Sequence, residues 1–201
     1  MTVTQEQVLA LAEDSQDLLF REARTANTFS AEPVTDEQIK AIYDLVKWAP
    51  TSLNMQPLRA VLVRSPEARE RLVQHLGEGN QAKTSTAPLT AILAADTGFN
   101  EHLPEVFPHA PDANTWLPPD SHEHHAKLNA SLQVAYFILG VRAAGLAAGP
   151  MTGFDAEGID KEFFGDDRHR TLVVVNIGKP GENAWFPRSP RLDFDRVFRT
   201  V

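Results

Sequence analysis

The sequence predicts one domain in which helices cover a central β-sheet. The chain has 201 residues, enough to bury a substantial core without disulfide bonds or metals. Helix signals alternate with short apolar runs, and the runs Ala91–Ala94 and Leu172–Val175 are continuous rather than alternating. Continuous apolar strands are typical of a sheet that is buried on both faces. Strands are therefore expected over residues 60–64, 90–95 and 171–177.

Five helices are predicted, because side chains that can cap a first helical turn precede stretches of helical periodicity. The predicted caps are Thr4, Thr35, Ser65, Asp120 (with Glu123) and Asp155. The helices are expected over about 4–23, 35–46, 65–76, 120–144 and 155–163. Gln7 and Gln38 stand where a capping box requires them, and Pro66 suits the first helical position.

The fourth predicted helix is the longest, and apolar residues recur along one of its sides. These residues are Leu128, Leu132, Ala135 and Leu139. Gly145 and Gly149 are the expected stops beyond it. The segment 97–119, which precedes it, is rich in proline and carries Phe107 and Trp116. A long insertion of this kind in a compact domain is usually a functional lid or a disordered excursion.

Net charge and cysteine content exclude several classes of protein. The formal net charge is −8 and the acidic residues are scattered, which argues against a nucleic-acid binder and against an anionic membrane surface. The absence of cysteine excludes disulfides, thiolate metal sites and cysteine nucleophiles. Residues 1–20 lack the basic stretch of a signal peptide, and no apolar run reaches membrane-spanning length. A cytoplasmic protein is expected.

The most informative segment is the loop 49–57, between the second helix and the first strand. Pro50 and Pro57 stiffen it, because proline restricts its own backbone and that of the residue before it. Four uncharged polar side chains lie between the prolines: Thr51, Ser52, Asn54 and Gln56. Their donors and acceptors suit a flat, uncharged ligand rich in heteroatoms better than a phosphate or a metal. The alternative is a turn that satisfies its own backbone.

Two basic clusters can hold an anion. Arg24 and Thr25, with Asn27, follow the first helix, and Arg188 and Arg191 flank a proline turn near the C-terminus. Guanidinium groups present forked donors to a phosphate, and one phosphate often needs two cationic clamps. The alternatives are that the first cluster complements a helix dipole and that the second consists of ordinary surface arginines.

The segment 149–155 follows the long helix and contains Pro150, Met151, Thr152 and Gly153. Glycine adopts unusual backbone angles and lets a ligand approach the main chain closely. A backbone N–H exposed here, just before a helix start, can bond an acceptor on a flat ring. The alternative is an ordinary connection between two helices.

Two further patterns are weaker. Residues 77–82 fit the glycine pattern of dinucleotide-binding proteins, but they follow a helix rather than a strand and no helix clearly opens after them. His122, His124 and His125 resemble a metal cluster, yet their spacing does not match a zinc signature such as His-Glu-x-x-His. A solvated helix start is the better interpretation of these histidines.

Five segments, taken in order along the chain, resemble the nitroreductase family of flavin enzymes. They are Arg24–Phe29, Ala49–Pro57, Gly79–Lys83 with Ala87-Pro88, Gly149–Asp155 and Pro190–Leu192. The resemblance covers nearly the whole chain after residue 15. Segments 47–52 and 149–155 are also similar to the branch named malonic semialdehyde reductase or NADH dehydrogenase/nitroreductase, and Asn129, Ser131, Gln133 and Tyr136 suit that branch.

The resemblance implies an α+β fold, with a mostly antiparallel central sheet flanked by helices, and an intertwined homodimer with FMN at its interface. The cofactor-binding residues that it implies are Arg24, Thr25, Asn27, Thr51, Ser52, Asn54, Gln56, Asn80, Lys83, Pro150, Met151, Thr152, Gly153, Arg188 and Arg191. The two basic clusters are expected at the FMN phosphate, and the loop 49–57 at the flavin of the partner chain. Asn80 and Lys83 are expected at the pyrimidine edge. The backbone at Thr152-Gly153 is expected to donate to the N5 and O4 region.

The resemblance further implies an enzyme that passes a hydride from NADH or NADPH, through flavin N5, to a small acceptor in a ping-pong cycle. An aldehyde of the malonic semialdehyde type, a quinone or a nitro compound is the expected acceptor. No catalytic side chain is identified, because the cofactor carries the chemistry. Two alternatives stay open: a metal-dependent hydrolase that uses His109, His122, His124 and His125, and a flavin-binding protein without turnover.

Overall fold

The computed structural model describes residues 9–201 and centres on a four-stranded antiparallel sheet with the order β1-β2-β4-β3. The strands are β1 (Leu58–Val63), β2 (Leu89–Asp96), β3 (Ala147–Met151) and β4 (His169–Gly178). The helices are α1 (Glu13–Gln16, continued by the π-helical turn Asp17–Arg21), α2 (Asp36–Val46), α3 (Pro66–Gln74), α4 (Glu78–Thr86), α5 (Leu103–Val106), α6 (His122–Ala143), α7 (Ala156–Phe163) and α8 (Phe194–Val197). The predicted α+β fold, an antiparallel sheet flanked by helices, is confirmed.

Helices cover both faces of the sheet, which explains the continuous apolar strands. Every residue of β2 is buried. On one face Leu93 packs with Phe137 of α6, and on the other Ile92 packs with Leu72 of α3 and Ile159 of α7. The three predicted strands are confirmed, with ends that differ from the predicted ones by at most two residues.

Three of the predicted helix caps are confirmed. Thr35 and Gln38 form a capping box, in which each side chain accepts a hydrogen bond from the backbone N–H of the other, at 2.8 and 3.2 Å. The side chains of Ser65 and Asp155 each accept the third N–H of their helix at 3.1 Å. The predicted cap Thr4 lies outside the described residues.

The first helix is shorter than predicted. Residues 9–12 are not helical, and the chain leaves the helix after Arg21, so the prediction of a continuous helix to Ala23 is wrong. The last turn closes with a wide bond from the N–H of Glu22 to the carbonyl of Asp17, at 3.0 Å. Helix α3 also ends early, at Gln74 rather than at residue 76.

The long helix α6 begins at His122, and no side chain caps it. Asp120 lies in the preceding 3₁₀ turn, Pro119–Ser121, and Glu123 pairs with Arg170 of β4. The prediction that Asp120 and Glu123 cap this helix is therefore wrong. The 3₁₀ turn leads the chain into the helix instead, so no separate cap is needed.

Strand β3 and helix α4 are absent from the sequence prediction. The segment that begins at Gly149 was expected to connect two helices, but its first three residues belong to β3, so Gly149 does not stop a helix. Gly145, with φ of +68°, has the left-handed conformation that follows a helix end. Helix α4 follows Gly77, where no helix was expected. Neither element has a clear apolar period, because β3 reads Ala-Ala-Gly-Pro-Met and α4 is mostly polar.

Helix α6 has one buried side and one exposed apolar side. The buried side includes Asn129, Val134 and Phe137. The side with the regularly spaced leucines is the other one, since Leu128 and Leu132 are 55% and 45% exposed in the single chain. Neither α6 nor any other helix within residues 9–201 combines the length and the apolar character needed to cross a membrane.

The proline-rich segment 97–119 folds into short helical turns around a small core. Phe99 and Leu103 are buried in this core, where they pack with Met55 of the loop 49–57 and Ala126 of α6. The segment therefore lies directly beside the loop, and both rest on the first half of α6.

Candidate functional site

The loop 49–57 has an unusual backbone. Leu53, Asn54 and Gln56 all have positive φ, at 52°, 49° and 43°. Each such non-glycine residue costs on the order of 1–3 kcal/mol and persists only where its surroundings hold it. Backbone strain of this kind is concentrated at active sites and ligand-binding segments. The backbone geometry alone therefore makes this loop a candidate functional element.

Two side-chain amides of α6 hold the two ends of this loop. The amide oxygen of Asn129 accepts the backbone N–H of Ser52 at 2.8 Å, and that of Gln133 accepts the N–H of Leu58 at 3.0 Å. The two amides are four residues apart, so they project from the same side of the helix. Asn129 is buried, and its amide nitrogen donates to the carbonyl of His125 at 2.9 Å. Its orientation is thereby set.

The polar side chains of the loop divide into two pairs. The Thr51 hydroxyl accepts the N–H of Gln56 at 3.2 Å, and the Asn54 amide donates to the carbonyl of Val106, in the segment 97–119, at 2.8 Å. These two side chains shape the loop and attach it to its neighbour. The side chains of Ser52 and Gln56 form no hydrogen bond with any residue of the described part of the chain, so they are available to a ligand.

A buried carboxylate lies behind the loop. Asp96, at the end of β2, is 1% exposed and binds Arg59 at 2.9 Å and Arg168 through two bonds of 2.6 and 3.0 Å. The N–H of Gly98 donates to it at 2.9 Å. Burial by itself raises the pKa of Asp96, but the hydrogen bonds and charges of the two arginines outweigh it and hold that pKa below its usual range. We call Asp96, Arg59 and Arg168 the Asp96 cluster.

A second group of the predicted site residues meets at the end of β3. The amide nitrogen of Asn80 donates to the carbonyl of Gly153 at 2.9 Å, and the N–H of Gly77 donates to the same carbonyl at 3.0 Å. Thr152 and Gly153 are exposed. The N–H of Gly153 donates to no residue between 9 and 201, so it can donate to a ligand.

Buried polar side chains hold helix α4 against the strands next to this group. The amide of Asn176 in β4 donates to the Thr84 hydroxyl at 3.0 Å and accepts the Thr90 hydroxyl at 2.8 Å. The Thr84 hydroxyl also lies 3.7 Å from the sulfur of Met151. Lys83, next to Thr84, has no carboxylate within 4 Å in the described structure. Its charge is therefore available beside the end of β3.

The first basic cluster lies along the same strand. The N–H of Ala26 donates to the carbonyl of Ala148 in β3 at 3.0 Å, which fixes Arg24 and its neighbours beside that strand. Gly149 allows this approach, because a Cβ there would lie 2.6 Å from the Ala26 carbonyl oxygen. Only glycine fits between these two backbone segments at this point.

The C-terminal arginines are placed differently from each other. The guanidinium of Arg188 donates to the carbonyls of Arg21 and Ala23, so it lies beside the first basic cluster. Arg191 donates only to the carbonyls of Ser189 and of the proline after it, at 2.8 and 3.3 Å. Within the single chain, therefore, Arg188 joins the basic cluster and no described contact brings Arg191 to it.

The histidines at the start of α6 contact neighbouring groups of the chain. The Nε2 atom of His122 lies 3.2 Å from the carbonyl oxygen of Leu117, and its ring packs on Phe99 at 5.3 Å between centroids. The rings of His124 and His125 contact each other edge to face at 5.6 Å. Across residues 9–201, no group of three or more histidine and acidic side chains is arranged to hold a metal ion. The hydrolase alternative thus lacks a ligand set in this structure.

The Asp96 cluster and the Thr84–Asn176 contact were not predicted from the sequence. Asn176 gives a usable signal, since an amide inside a continuous apolar strand needs a buried partner. Asp96 gives a weaker one, because a carboxylate at the end of a buried strand is common at a loop start. Arg59 and Arg168 give none, since each stands at the start of a strand as surface arginines often do.

Known proteins resemble this chain along most of its length. The sequence profile of the nitroreductase family matches residues 20–179. A Streptomyces griseus protein named "putative NADH dehydrogenase/NAD(P)H nitroreductase" is 67% identical over 195 residues, which cover 96% of this chain and 99% of that protein. A protein of the same name from Polynucleobacter asymbioticus is 48% identical over 193 residues, covering 95% and 98% of the two chains.

Solved structures share the fold. A nitroreductase structure from Bacillus subtilis superposes with a TM-score of 0.84 at 22% identity, covering 94% of this chain and 100% of that one. A structure from Exiguobacterium sibiricum, solved in complex with FMN, gives a TM-score of 0.82 at 20% identity and covers 94% and 98%. With the profile match over most of its length and relatives of such high identity, the chain belongs to the nitroreductase family.

Proposed function

We propose that this chain is an FMN-dependent NAD(P)H oxidoreductase that reduces a small acceptor. Its family and the names of its relatives support this class of enzyme. The single observation that carries the proposal is the meeting of Asn80 with Gly153 at the end of β3, beside the free charge of Lys83. These are uncharged donors and one cation around an exposed backbone N–H, which suits the polar edge of a flavin ring.

Strand β3 suits an elongated ligand with an anionic end. The basic cluster lies beside Ala148, and the group around Asn80 lies just beyond Met151, about 10 Å further along the strand. A phosphate held by Arg24, Thr25, Asn27 and Arg188 thus leaves room for a ring near Gly153. When bound, FMN supplies hydride transfer at N5, and the protein supplies binding and orientation.

The loop 49–57 supports a site shared by two copies of the chain. Within residues 9–201, no hydrogen bond or ion pair joins this loop to Arg24, Asn80 or Gly153. The free polar groups of Ser52 and Gln56 are therefore not bonded to the residues at the end of β3. They suit a flavin bound to a partner chain, as does Arg191, which has only local contacts.

Exposed apolar residues next to the loop support the same homodimer. Trp48 is 78% exposed at the start of the loop, and Leu128, Leu132 and Tyr136 of α6 are each more than 40% exposed. Apolar groups exposed in this number usually belong to an interface. We infer that two α6 helices pack together and bring each loop to the partner's flavin. Leu132→Glu is expected to convert the dimer to a monomer in analytical ultracentrifugation and to remove bound FMN.

The acceptor is inferred from the surroundings of the loop. The segment 97–119 packs beside it and presents Trp116, 51% exposed, with Phe107 against it at 6.4 Å between ring centroids. We propose that this segment is the lid over the substrate. Its aromatic surface favours small planar or carbonyl-containing acceptors: a quinone, a nitro compound or an aldehyde of the malonic semialdehyde type.

Cofactor content tests the proposal directly. The purified protein is expected to be yellow, or to take up one FMN per chain when FMN is added, and to lose the bound flavin when Arg24 is changed to Met. A colourless protein that takes up no FMN would contradict the proposal. Bound zinc in place of flavin would support the metal-dependent hydrolase instead.

A further inference from the structure

The Asp96 cluster connects two segments that the proposed function assigns to different ligands. One arginine of the cluster reaches the loop 49–57, and the other reaches the base of the segment 97–119. We propose that Asp96 is a positioning residue. Through Arg59 and Arg168 it sets the geometry of both the loop 49–57 and the proposed lid, the segment 97–119. This inference rests on the proposed function, because it assigns the cluster a role in flavin and acceptor binding.

Arg59 connects Asp96 to the loop. One terminal nitrogen of Arg59 binds Asp96 at 2.9 Å, and the other donates to the carbonyls of Gln56 and Leu58, both at 2.9 Å. Gln56 is one of the three loop residues with positive φ. A donor fixed on its carbonyl holds the peptide plane that this strained conformation requires. The carboxylate thus acts on the loop through a rigid, planar side chain.

Arg168 connects Asp96 to the base of the lid. Its guanidinium binds Asp96 through two bonds and donates to Glu101 at 2.9 Å and to the carbonyl of Gly98 at 3.3 Å. The carbonyl of Arg168 accepts the N–H of Thr97 at 3.0 Å. Gly98 makes the approach possible, because a Cβ there would lie 2.6 Å from the guanidinium carbon. The first turn of the lid is therefore built around this side chain.

One carboxylate binds both arginines and thereby couples the loop 49–57 to the segment 97–119. Asp96 is 1% exposed, so neither arginine can move away without leaving a buried charge short of a partner. A second link, from the Asn54 amide to the carbonyl of Val106, joins the loop to the middle of the lid. The loop and the lid therefore move as one unit when a ligand displaces either of them.

A matched control variant distinguishes a positioning role of Asp96 from a general loss of stability. Asp160 is also buried, at 9% exposure, and its carboxylate accepts the N–H and the hydroxyl of Thr171 at 2.8 and 2.5 Å. It joins α7 to β4 and touches neither the loop nor the lid. Asp96→Asn and Asp160→Asn both replace a buried carboxylate by an isosteric amide. Both are expected to lower the melting temperature.

The test compares ligand binding by the folded proteins at a temperature well below their melting. Asp96→Asn is expected to weaken FMN binding by about tenfold or more, the loss that corresponds to one charge-assisted hydrogen bond, and to raise the KM of menadione, a small quinone. Asp160→Asn is expected to bind FMN as tightly as the wild type. Equal FMN dissociation constants for all three proteins would overturn the inference, and so would an equal loss in both variants.

Variants that keep the positive charge then distinguish the role of Arg59 from that of Arg168. In Arg59→Lys the single ammonium cannot serve Asp96 and the Gln56 carbonyl together, so FMN binding weakens more than the menadione KM changes. In Arg168→Lys the single ammonium cannot serve Asp96, Glu101 and the Gly98 carbonyl together, so the menadione KM rises more than FMN binding weakens. If both variants change the same constant, the division of roles is wrong. Failure of the wild type to bind FMN would instead count against the proposed function.

Discussion

The amide oxygen of Asn129 accepts the backbone N–H of Ser52 at 2.8 Å, so a buried side chain of the long helix α6 holds the start of the loop 49–57. The residue before it, Leu128, is exposed on the opposite side of the same helix. One helix therefore carries both the surface proposed for the second copy and the side chain that positions the loop. In the proposed homodimer, packing of two copies through α6 would place the loop at the same time.

Replacement of Asn129 by Ala tests this link. The Ser52 N–H loses its acceptor, so the free energy of unfolding is expected to fall by about 1–3 kcal/mol, and the FMN dissociation constant to rise by about tenfold. Chemical denaturation and flavin fluorescence titration measure the two effects. Ser131→Ala is the control, because that hydroxyl bonds only within the helix, to the carbonyl of Lys127 at 2.7 Å. Unchanged FMN affinity in Asn129→Ala would show that the contact is structural only.

Asn54 allows the strained backbone to be tested apart from the side chain. Its φ is +49°, which glycine adopts freely and alanine does not, and its amide donates to the carbonyl of Val106. Asn54→Ala is expected to lower FMN occupancy while leaving the fold intact. Asn54→Gly also removes the amide but tolerates the backbone angle, so it is expected to retain more FMN than Asn54→Ala. The reverse order, measured as flavin absorbance per chain, would rule out backbone strain as the cause.

Gly149→Ala tests the contact between the basic cluster and β3. The new Cβ would lie 2.6 Å from the carbonyl oxygen of Ala26, which is main chain and cannot move aside cheaply. Overpacking of this kind typically costs about 1–3 kcal/mol, and it is expected to displace Arg24 and weaken FMN binding more than riboflavin binding. Gly79→Ala is the control, since nothing lies within 4 Å of its added Cβ. Equal losses of FMN and riboflavin binding would argue against a phosphate site at Arg24.

The pKa of Asp96 predicts a defined loss of stability in acid. Its pKa is lowered in the folded protein, whereas the unfolded chain has the ordinary value of about 3.9. The ionised group therefore stabilises the fold fully above about pH 5, and this contribution is lost as the pH falls towards the lowered pKa. The difference in free energy of unfolding between the wild type and Asp96→Asn is expected to stay nearly constant down to about pH 5 and to shrink below about pH 4, as the pH approaches the lowered pKa. A difference that stays constant well below the ordinary pKa of a carboxyl group would contradict a contribution from ionised Asp96.

The fold was predictable where local signals coincide with burial. The capping box at Thr35 and the buried strand Leu89–Asp96 each carry one clear pattern, and both are confirmed. The strand Ala147–Met151 was not predicted, because its pairing with β4 is a long-range contact and its own Ala, Gly and Pro residues do not favour a strand. Tertiary pairing overrides weak local propensity in such strands.

The candidate site was predictable as a set of segments, but the contacts inside it were not. Asn80 was expected at the flavin, and the structure adds its bond to the carbonyl of Gly153. Asn54 was also expected at the flavin, which stays a prediction, and the structure adds a bond from its amide to the carbonyl of Val106. Partners as distant in sequence as Asp96 and Arg168 become neighbours only through the register of β2 and β4. A pattern within one segment carries no information on such pairs.

The most direct test of the account is anaerobic mixing of the FMN-loaded protein with NADH and with NADPH in a stopped-flow spectrophotometer. The flavin absorbance is expected to bleach with at least one of the two nucleotides, at a rate no slower than steady-state turnover. The colour is then expected to return when menadione is added. Flavin that stays oxidised with both nucleotides would contradict the proposed oxidoreductase and leave a flavin-binding protein without turnover.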